Sequence, residues 1–244
     1  MRRLFLFFII LLTNAFCFSQ SISGHYGQCE QLIYKPGDFE VDLFLFDKGS
    51  YVLLLTDQPS TDADDFVYVI VLSNGSFIKD SNNLYLTDDI EKYTMSFNII
   101  DNGNIVAERT FGFLKNRTFC FINTPEMLGV RDYFKDSDNY FTETECERYN
   151  EKHRQTIPMK YGFYGDKYES NLSYNYRINN DTTFVISYQK TVISEGMWQR
   201  DNNVLILTDK DLQFSSYLLI DEDCLLTKNK SKYIKIQYVS DSNQ

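Results

Sequence analysis

Val71–Asp89 reads VLSNGSFIKDSNNLYLTDD, and Val192–Lys210 reads VISEGMWQRDNNVLILTDK. A shift of 121 positions places the second stretch on the first without a gap, and nine of the nineteen positions are then identical. The identical pairs are Val71/Val192, Ser73/Ser194, Gly75/Gly196, Asp80/Asp201, Asn82/Asn203, Leu84/Leu205, Leu86/Leu207, Thr87/Thr208 and Asp88/Asp209. The agreement of turn residues and apolar residues in one register indicates an internal repeat.

The repeat extends to both sides of this stretch. Upstream, Gly24-His-Tyr-Gly27 corresponds to Gly162-Phe-Tyr-Gly165, and the run from Phe46 to Tyr51 corresponds to the run from Ile178 to Phe184. Downstream, the best match sets Phe97–Asp101 against Tyr217–Asp221. The chain therefore contains one unit twice.

Each unit is a series of short strands and turns. Alternating runs such as Leu84-Tyr-Leu86 and Val204–Leu207 predict half-buried strands, and Asn-, Asp- and Gly-rich breaks such as Asp101-Asn-Gly103 predict turns. Seven or eight strands per unit at a spacing of 8–12 residues are typical of an antiparallel sandwich or barrel. We predict an all-β protein with two tandem antiparallel β-barrel- or sandwich-like domains and a short, partly helical connector.

Four segments follow from this pattern. They are a signal peptide at 1–19, a first β domain at 20–125, a connector at 126–157 and a second β domain at 158–244. The spacing of Glu143, Glu147 and Glu151 predicts a short helix within residues 140–154 of the connector.

The order Gly-x-Tyr, Gly-x-Phe/Trp and Leu-x-Leu resembles many exported Bacteroidota proteins built from small lipocalin-like or META-like barrels. The residues that carry this resemblance are Gly24, Tyr26, Tyr51, Gly75, Phe77, Leu84 and Leu86, and again Gly162, Tyr164, Phe184, Gly196, Trp198, Leu205 and Leu207. The resemblance implies a β-barrel in each unit and brings no catalytic residues with it.

The N-terminus predicts export. Arg2 and Arg3 precede an apolar stretch from Leu4 to Leu12, and cleavage after Ser19 would leave Gln20 as the first mature residue. Cys17 offers a second hypothesis, a lipoprotein anchor, although Phe16 stands where a lipobox has a small residue. Without the signal peptide the sequence predicts no membrane span, and we expect a periplasmic, cell-surface or extracellular location.

Four cysteines remain in the mature chain, namely Cys29, Cys120, Cys146 and Cys224. An even number of cysteines in an exported protein favours disulfide bonds, and their spacing fits no zinc motif. Three pairings are possible. The positions of Cys29 and Cys120 near the two ends of the first domain favour that pair, which would leave Cys146 to join Cys224.

The net charge of −10 becomes −12 when cleavage removes two arginines and no acidic residues. Residues 20–125 hold 7 basic and 15 acidic residues, a net charge of −8. This acidity excludes an ordinary nucleic-acid-binding protein, which would carry a basic face.

No catalytic, metal or cofactor site emerges from the motifs. Residues 136–147 have the acidic ends of an EF-hand loop, but Phe141 stands where that loop requires glycine. The acidic cluster at 62–65 is read as a charged turn, His153 as an exposed connector residue, and His25 as a strand residue because its counterpart is Phe163. We therefore expect no cofactor, no metal site and no enzymatic activity.

The pair Gly75-x-Phe77 and Gly196-x-Trp198 has two interpretations. In the first, the ring closes one end of a barrel; in the second, Trp198 lines a ligand pocket. The occurrence of the pattern in both units favours the structural interpretation.

Three functional hypotheses remain at this point. The first is an exported binding protein for an unknown small ligand or protein partner. The second is an envelope-structural or inhibitor-type protein-interaction module. The third, which the sequence supports least, is a hydrolase that uses a pair of carboxylates.

Overall fold

The computed structural model describes residues 22–29, 39–57, 68–100, 103–123, 139–165, 174–188, 191–229 and 232–239. The predicted signal peptide, Cys17 and the acidic residues at 62–65 lie outside them. Within the described ranges the chain forms two closed eight-stranded antiparallel barrels, in which consecutive strands are neighbours and the last strand pairs with the first. This confirms the predicted all-β class with two barrels and selects the barrel over the sandwich.

The first barrel consists of β1 (Gly24–Gln28), β2 (Phe39–Leu45), β3 (Ser50–Asp57), β4 (Tyr68–Asp80), β5 (Asn83–Asp88), β6 (Thr94–Ile99), β7 (Ile105–Arg109) and β8 (Thr118–Asn123). A short 3-10 helix, Gly112–Leu114, lies between β7 and β8. The second barrel consists of β9 (Gly162–Gly165), β10 (Tyr174–Ile178), β11 (Thr183–Tyr188), β12 (Thr191–Asp201), β13 (Val204–Asp209), β14 (Ser215–Asp221), β15 (Cys224–Asn229) and β16 (Lys232–Val239).

The two barrels share an irregularity in the pairing of their strands, between β3 and β4 and between β11 and β12. In the first barrel the register shifts between Leu53 and Leu54, and in the second it shifts between Ile186 and Ser187. The residues just before the shifts pair with Ser73 and Ser194, one of the identical pairs of the repeat. Each barrel thus contains the same bulge at the same place.

One alignment made from the sequence is wrong by a single residue. Leu84 pairs with Phe97 in the first barrel and Leu205 with Leu218 in the second, so the counterpart of Phe97 is Leu218 and not Tyr217. Both Phe97 and Leu218 face a barrel interior, whereas Tyr217 packs on the outside. Because strand side chains alternate between faces, the one-residue slip would have turned this strand inside out.

The connector contains helix α1, Glu143–Lys152, which confirms the predicted helix. The helix begins at a capping box, in which the Thr142 side chain accepts from the Glu145 N–H and the Glu145 carboxylate accepts from the Thr142 N–H. The buried face of α1, which includes Cys146 and Tyr149, packs on an apolar cluster outside the second barrel, formed with Val204, Leu219, Cys224 and Leu226. The Tyr149 hydroxyl donates to the carbonyl of Ile220 at 2.9 Å.

The barrels contact each other through one end of each. Tyr93 lies after β5 of the first barrel, and its ring packs at 4.8 Å from the ring of Phe214, which lies after β13 of the second. Tyr188, Ile193 and Leu212 of the second barrel belong to the same apolar cluster as the interior of the first. We call the opposite ends the far ends; they carry the β4–β5 turn and the β12–β13 turn.

Candidate functional site

The interior of the first barrel is filled by large apolar side chains. An eight-stranded barrel is just wide enough either to be filled by its own side chains or to hold one small ligand. Inward-facing residues from its strands form one cluster and are at most 5% exposed; they are Tyr26, Val41, Leu43, Leu45, Tyr51, Leu53, Leu55, Leu72, Leu84, Leu86, Met95, Phe97, Ile105, Ala107 and Phe119.

The interior of the second barrel is filled in the same way. Its buried cluster consists of Tyr164, Ile178, Phe184, Trp198, Leu205, Leu207, Leu218, Ile220, Leu225 and Ile236. Tyr176 and Ile186 are half-buried and pack against this cluster. The filling of both interiors favours structural barrels over ligand containers.

The tryptophan that could have lined a ligand pocket is part of this packing. Trp198 is 8% exposed, its Nε1–H donates to the Asn179 carbonyl at 2.9 Å, and its ring stacks on Tyr161 with 5.9 Å between centroids. The geometry agrees with the structural interpretation, in which the ring closes the far end of the barrel.

The glycine two residues before each aromatic residue is required by a close approach of two strands. A Cβ at Gly75 would lie 2.0 Å from the carbonyl oxygen of Thr87, and a Cβ at Gly196 would lie 2.0 Å from that of Thr208. Both units therefore have glycine at this position because the facing strand leaves no space for a Cβ atom.

A buried carboxylate stands at the end of β5 and again at the end of β13. Asp88 and Asp209 each accept two backbone N–H groups of the following turn with one oxygen. Their other oxygen accepts the hydroxyl of Ser73 at 2.8 Å and of Ser194 at 2.6 Å. Since these hydrogen bonds occur in both barrels, we assign the two aspartates a structural role in fixing the turn that follows each strand.

The Gly-x-Tyr motif places one tyrosine inside each barrel. The Tyr26 hydroxyl donates to the Ile22 carbonyl and the Tyr164 hydroxyl donates to the Lys160 carbonyl, both at 2.7 Å and both four residues upstream. Burial raises the pKa of each tyrosine to about 12. Each ring ties the segment before a barrel to that barrel's core.

The connector is tied to the far end of the second barrel by Asn203, which is fully buried. Its Nδ2 donates to the carbonyls of His153 at 2.7 Å and Gln155 at 3.0 Å, and its Oδ1 accepts from the Ile157 N–H at 2.7 Å. Arg200 donates to the Ile157 carbonyl. We call residues 153–161 the strap, because this segment crosses the far end and brings Tyr161 onto Trp198.

Sequence reasoning missed the role of Asn203. Its signal was present, because Asn203 is identical to Asn82 in the repeat, but an asparagine in a turn is ordinarily explained by turn chemistry alone. The partners of its side chain lie about 50 residues away in a segment that has no counterpart in the alignment.

One of the two expected disulfides is present. Cys29 and Cys120 are bonded and join β1 to β8, where the first barrel closes. The expected Cys146–Cys224 bond is wrong: both residues are free and buried. Each belongs to the cluster between α1 and the second barrel, and burial raises the pKa of the Cys146 thiol to about 11.

The histidines occupy two different surroundings. The Nε2 of His25 lies 2.6 Å from an Asp42 carboxylate oxygen, and its ring stacks on Phe44 at 4.3 Å. A His–carboxylate pair can orient a general base, but this one lies on the outer wall of the first barrel. His153 is half-buried and stacks on Tyr149, so the expectation of an exposed side chain is wrong.

The described residues contain neither a cluster of potential metal ligands nor a helix that could span a membrane. No group of three or more His, Cys, Asp or Glu side chains in this part of the chain is arranged to hold a metal ion. Among the same residues, no helix has the length and apolarity to cross a membrane. Residues 136 and 138 of the EF-hand-like stretch and the acidic residues at 62–65 lie outside the described part of the chain.

The outer surface carries apolar side chains in contact with solvent. The large ones that are at least 39% exposed are Ile78, Ile100, Phe121, Ile122, Tyr161, Tyr174, Val192, Met197, Tyr233 and Ile234. Ile78 is the most exposed of them, at 67%, and lies on β4 two residues before the far-end turn of the first barrel.

Comparison with protein-family models, with curated proteins and with solved structures gave no match to this chain.

Proposed function

We propose that this chain is an exported, non-enzymatic binding protein that contacts a partner polypeptide through the outer surface of its barrels. The observation that carries the proposal is the filling of both barrel interiors by the protein's own side chains, which leaves the outside as the surface for recognition.

Export is supported by two observations. The first 19 residues have the charged start, apolar centre and polar end of a signal peptide. Cys29 and Cys120 form a disulfide bond, which persists in oxidising compartments. The resemblance to exported Bacteroidota barrel proteins is consistent with this location.

The test is native mass spectrometry of the protein isolated from the envelope of its own host. We expect the mass of the chain that begins at Gln20, both alone and in a complex with a second polypeptide. A bound molecule of a few hundred daltons that is released only on unfolding would contradict the proposal and restore the small-ligand hypothesis.

A further inference from the structure

The far ends of the two barrels have the same turn but different coverings. Ser81 and Asn202, the residues before the repeated asparagines, have φ angles of 55° and 52°. The Asn82 carbonyl accepts from the Ile99 N–H at 2.7 Å, and the Asn203 carbonyl accepts from the Ile220 N–H at 2.8 Å. The two asparagines therefore occupy the same backbone position, yet Asn82 is exposed and Asn203 is fully buried.

The difference comes from the strap. In the second barrel the strap uses every hydrogen-bonding group of the Asn203 side-chain amide, together with Arg200. In the first barrel, Lys79 stands in the place of Arg200 and is also exposed. Two side chains that bind the strap backbone in the second barrel thus have exposed counterparts, Asn82 and Lys79, in the first.

The aromatic residues at the far ends agree with this comparison. Trp198 is buried under Tyr161 of the strap, whereas its counterpart Phe77 is half-buried. Counted back from the matching glycines, the counterpart of Tyr161 is Ser23, which has no ring to place over Phe77. The far end of the first barrel lacks this part of the cover.

The sequence gives a reason for the difference. The strap residues 153–157 lie five to nine residues before Gly162, and the residues at the same distance before Gly24 are 15–19. The predicted cleavage after Ser19 would remove them. The exported chain would then lack the residues that correspond in position to strap residues 153–157.

We propose that the far end of the first barrel, around Asn82 and Lys79, binds a segment of a partner polypeptide in the way that the second barrel binds its own strap. This inference rests on the proposed function and specifies its partner surface. In this mode the Asn82 side-chain amide donates to two carbonyls of the segment and accepts from one of its N–H groups. The three groups belong to alternate residues, as His153, Gln155 and Ile157 do in the strap.

The charges indicate the composition of that segment. The strap contains Arg154 and Lys160 and no acidic residue, and residues 20–125 have a net charge of −8. A basic segment with an apolar residue is therefore favoured at this surface, because opposite charges increase the rate of encounter and select the partner. Exposed Ile78 and Ile100 lie beside the turn and offer apolar contact.

The probe is a synthetic peptide with the sequence of residues 153–161, added to the ¹⁵N-labelled chain that begins at Gln20. We expect a saturable shift of the Asn82 side-chain amide resonances, and binding at least about tenfold weaker for Asn82→Ala and for Asn82→Asp. Asn82→Asp keeps an acceptor but loses both donors. The control Asn123→Ala changes the last residue of β8, at the same end of the barrel but on the opposite wall, and should bind normally.

A second peptide series tests the recognition of the backbone. In the second barrel the Ile157 N–H donates a hydrogen bond to Asn203 Oδ1. N-methylation of the peptide at this residue removes the donor and should weaken binding by about tenfold. N-methylation at the residue equivalent to Thr156 serves as the control. Equal loss in both peptides would overturn the proposed mode.

Unchanged Asn82 resonances, or equal binding by Asn82→Ala and the unsubstituted chain, would overturn the inference. If those results occurred while native mass spectrometry still found a polypeptide complex, only the inference would fail and the proposed function would stand. A small molecule inside a barrel, with no polypeptide complex, would contradict the proposed function itself.

Discussion

Replacing Asn203 by alanine should release the strap from the second barrel. The substitution removes two donors and one acceptor whose partners are backbone groups of His153, Gln155 and Ile157. No other side chain of the β12–β13 turn is placed to take over all three. The strap would keep only its remaining contacts, such as those of Arg200 and Tyr161.

The expected loss can be worked from those three hydrogen bonds. Each contributes about 0.5–1.5 kcal/mol net to the free energy of unfolding. Because the strap is partly exposed from 153 to 157, water can satisfy some of the freed groups, so we expect a total of about 2–3 kcal/mol. For a protein of this size that corresponds to a fall in Tm of about 5–10 °C.

The chain contains the matched control. Asn82→Ala makes the same change in the same turn geometry, where the asparagine side chain is exposed. Any preference of the turn itself for asparagine cancels between the two variants. We expect Asn82→Ala to change the free energy of unfolding by no more than about 0.5 kcal/mol.

The assay follows from the composition, because Trp198 is the only tryptophan of the chain. Release of the strap would take Tyr161 off its ring, so Asn203→Ala should shift the native emission maximum to longer wavelength, and Asn82→Ala should not. Denaturant unfolding monitored by circular dichroism, to which the strands of both barrels contribute, gives the free energies. Equal stabilities and equal spectra for the two variants would refute the reasoning that the strap depends on Asn203.

Three further predictions follow from the same structure. Gly75→Ala and Gly196→Ala should each destabilise the protein by about 3 kcal/mol or more in denaturant unfolding, since the new Cβ would lie 2.0 Å from a carbonyl oxygen; a loss below about 1 kcal/mol would show that the strands can separate there. Cys29→Ser/Cys120→Ser should lower the free energy of unfolding by about 4–5 kcal/mol, because the bond closes a loop of 91 residues, and a thermal melt unaffected by reductant would contradict this. Thiol labelling at pH 8 should be slow at Cys146 and Cys224 in the native protein and should count two thiols after unfolding, whereas no thiol after unfolding would mean that the two are bonded after all.

A fourth prediction concerns high pH. Burial raises the pKa of Tyr26 and Tyr164 from 10.0 to about 12, so the folded state holds these protons more tightly than the unfolded state does. The stabilisation is complete below pH 10 and is lost as the pH rises from 10 to 12. The free energy of unfolding should fall by about 2–3 kcal/mol per tyrosine over that window, and a constant value from pH 10 to 12 would contradict the assignment.

The local features of the fold could be predicted from the sequence because they depend on residues that are close together along the chain. Alternating apolar residues predicted strands such as β5 and β13, and the repeated glycines marked positions where no Cβ fits. The spacing of three glutamates located helix α1. These signals are periodic and therefore visible in a single sequence.

The features that the sequence left open, missed or predicted wrongly depend on the pairing of distant segments. Closure of a barrel requires β8 to meet β1 across about 95 residues, and a sandwich has the same local pattern. The Cys146–Cys224 prediction came from elimination, but these residues lie on different elements and each remains a free thiol. The role of Asn203 likewise depends on a segment about 50 residues upstream.

The most direct test of the central claim is photo-crosslinking in the native host from two matched positions. Ile78 and Gln199 are related by the shift of 121 residues, and both are exposed on the strand that leads to the far-end turn. A photoreactive residue at position 78 should capture a polypeptide, and Asn82→Ala should reduce the yield, whereas the same residue at position 199 should capture none. Equal capture from both positions, or capture from position 199 alone, would contradict the account in which only the first barrel offers an open far end.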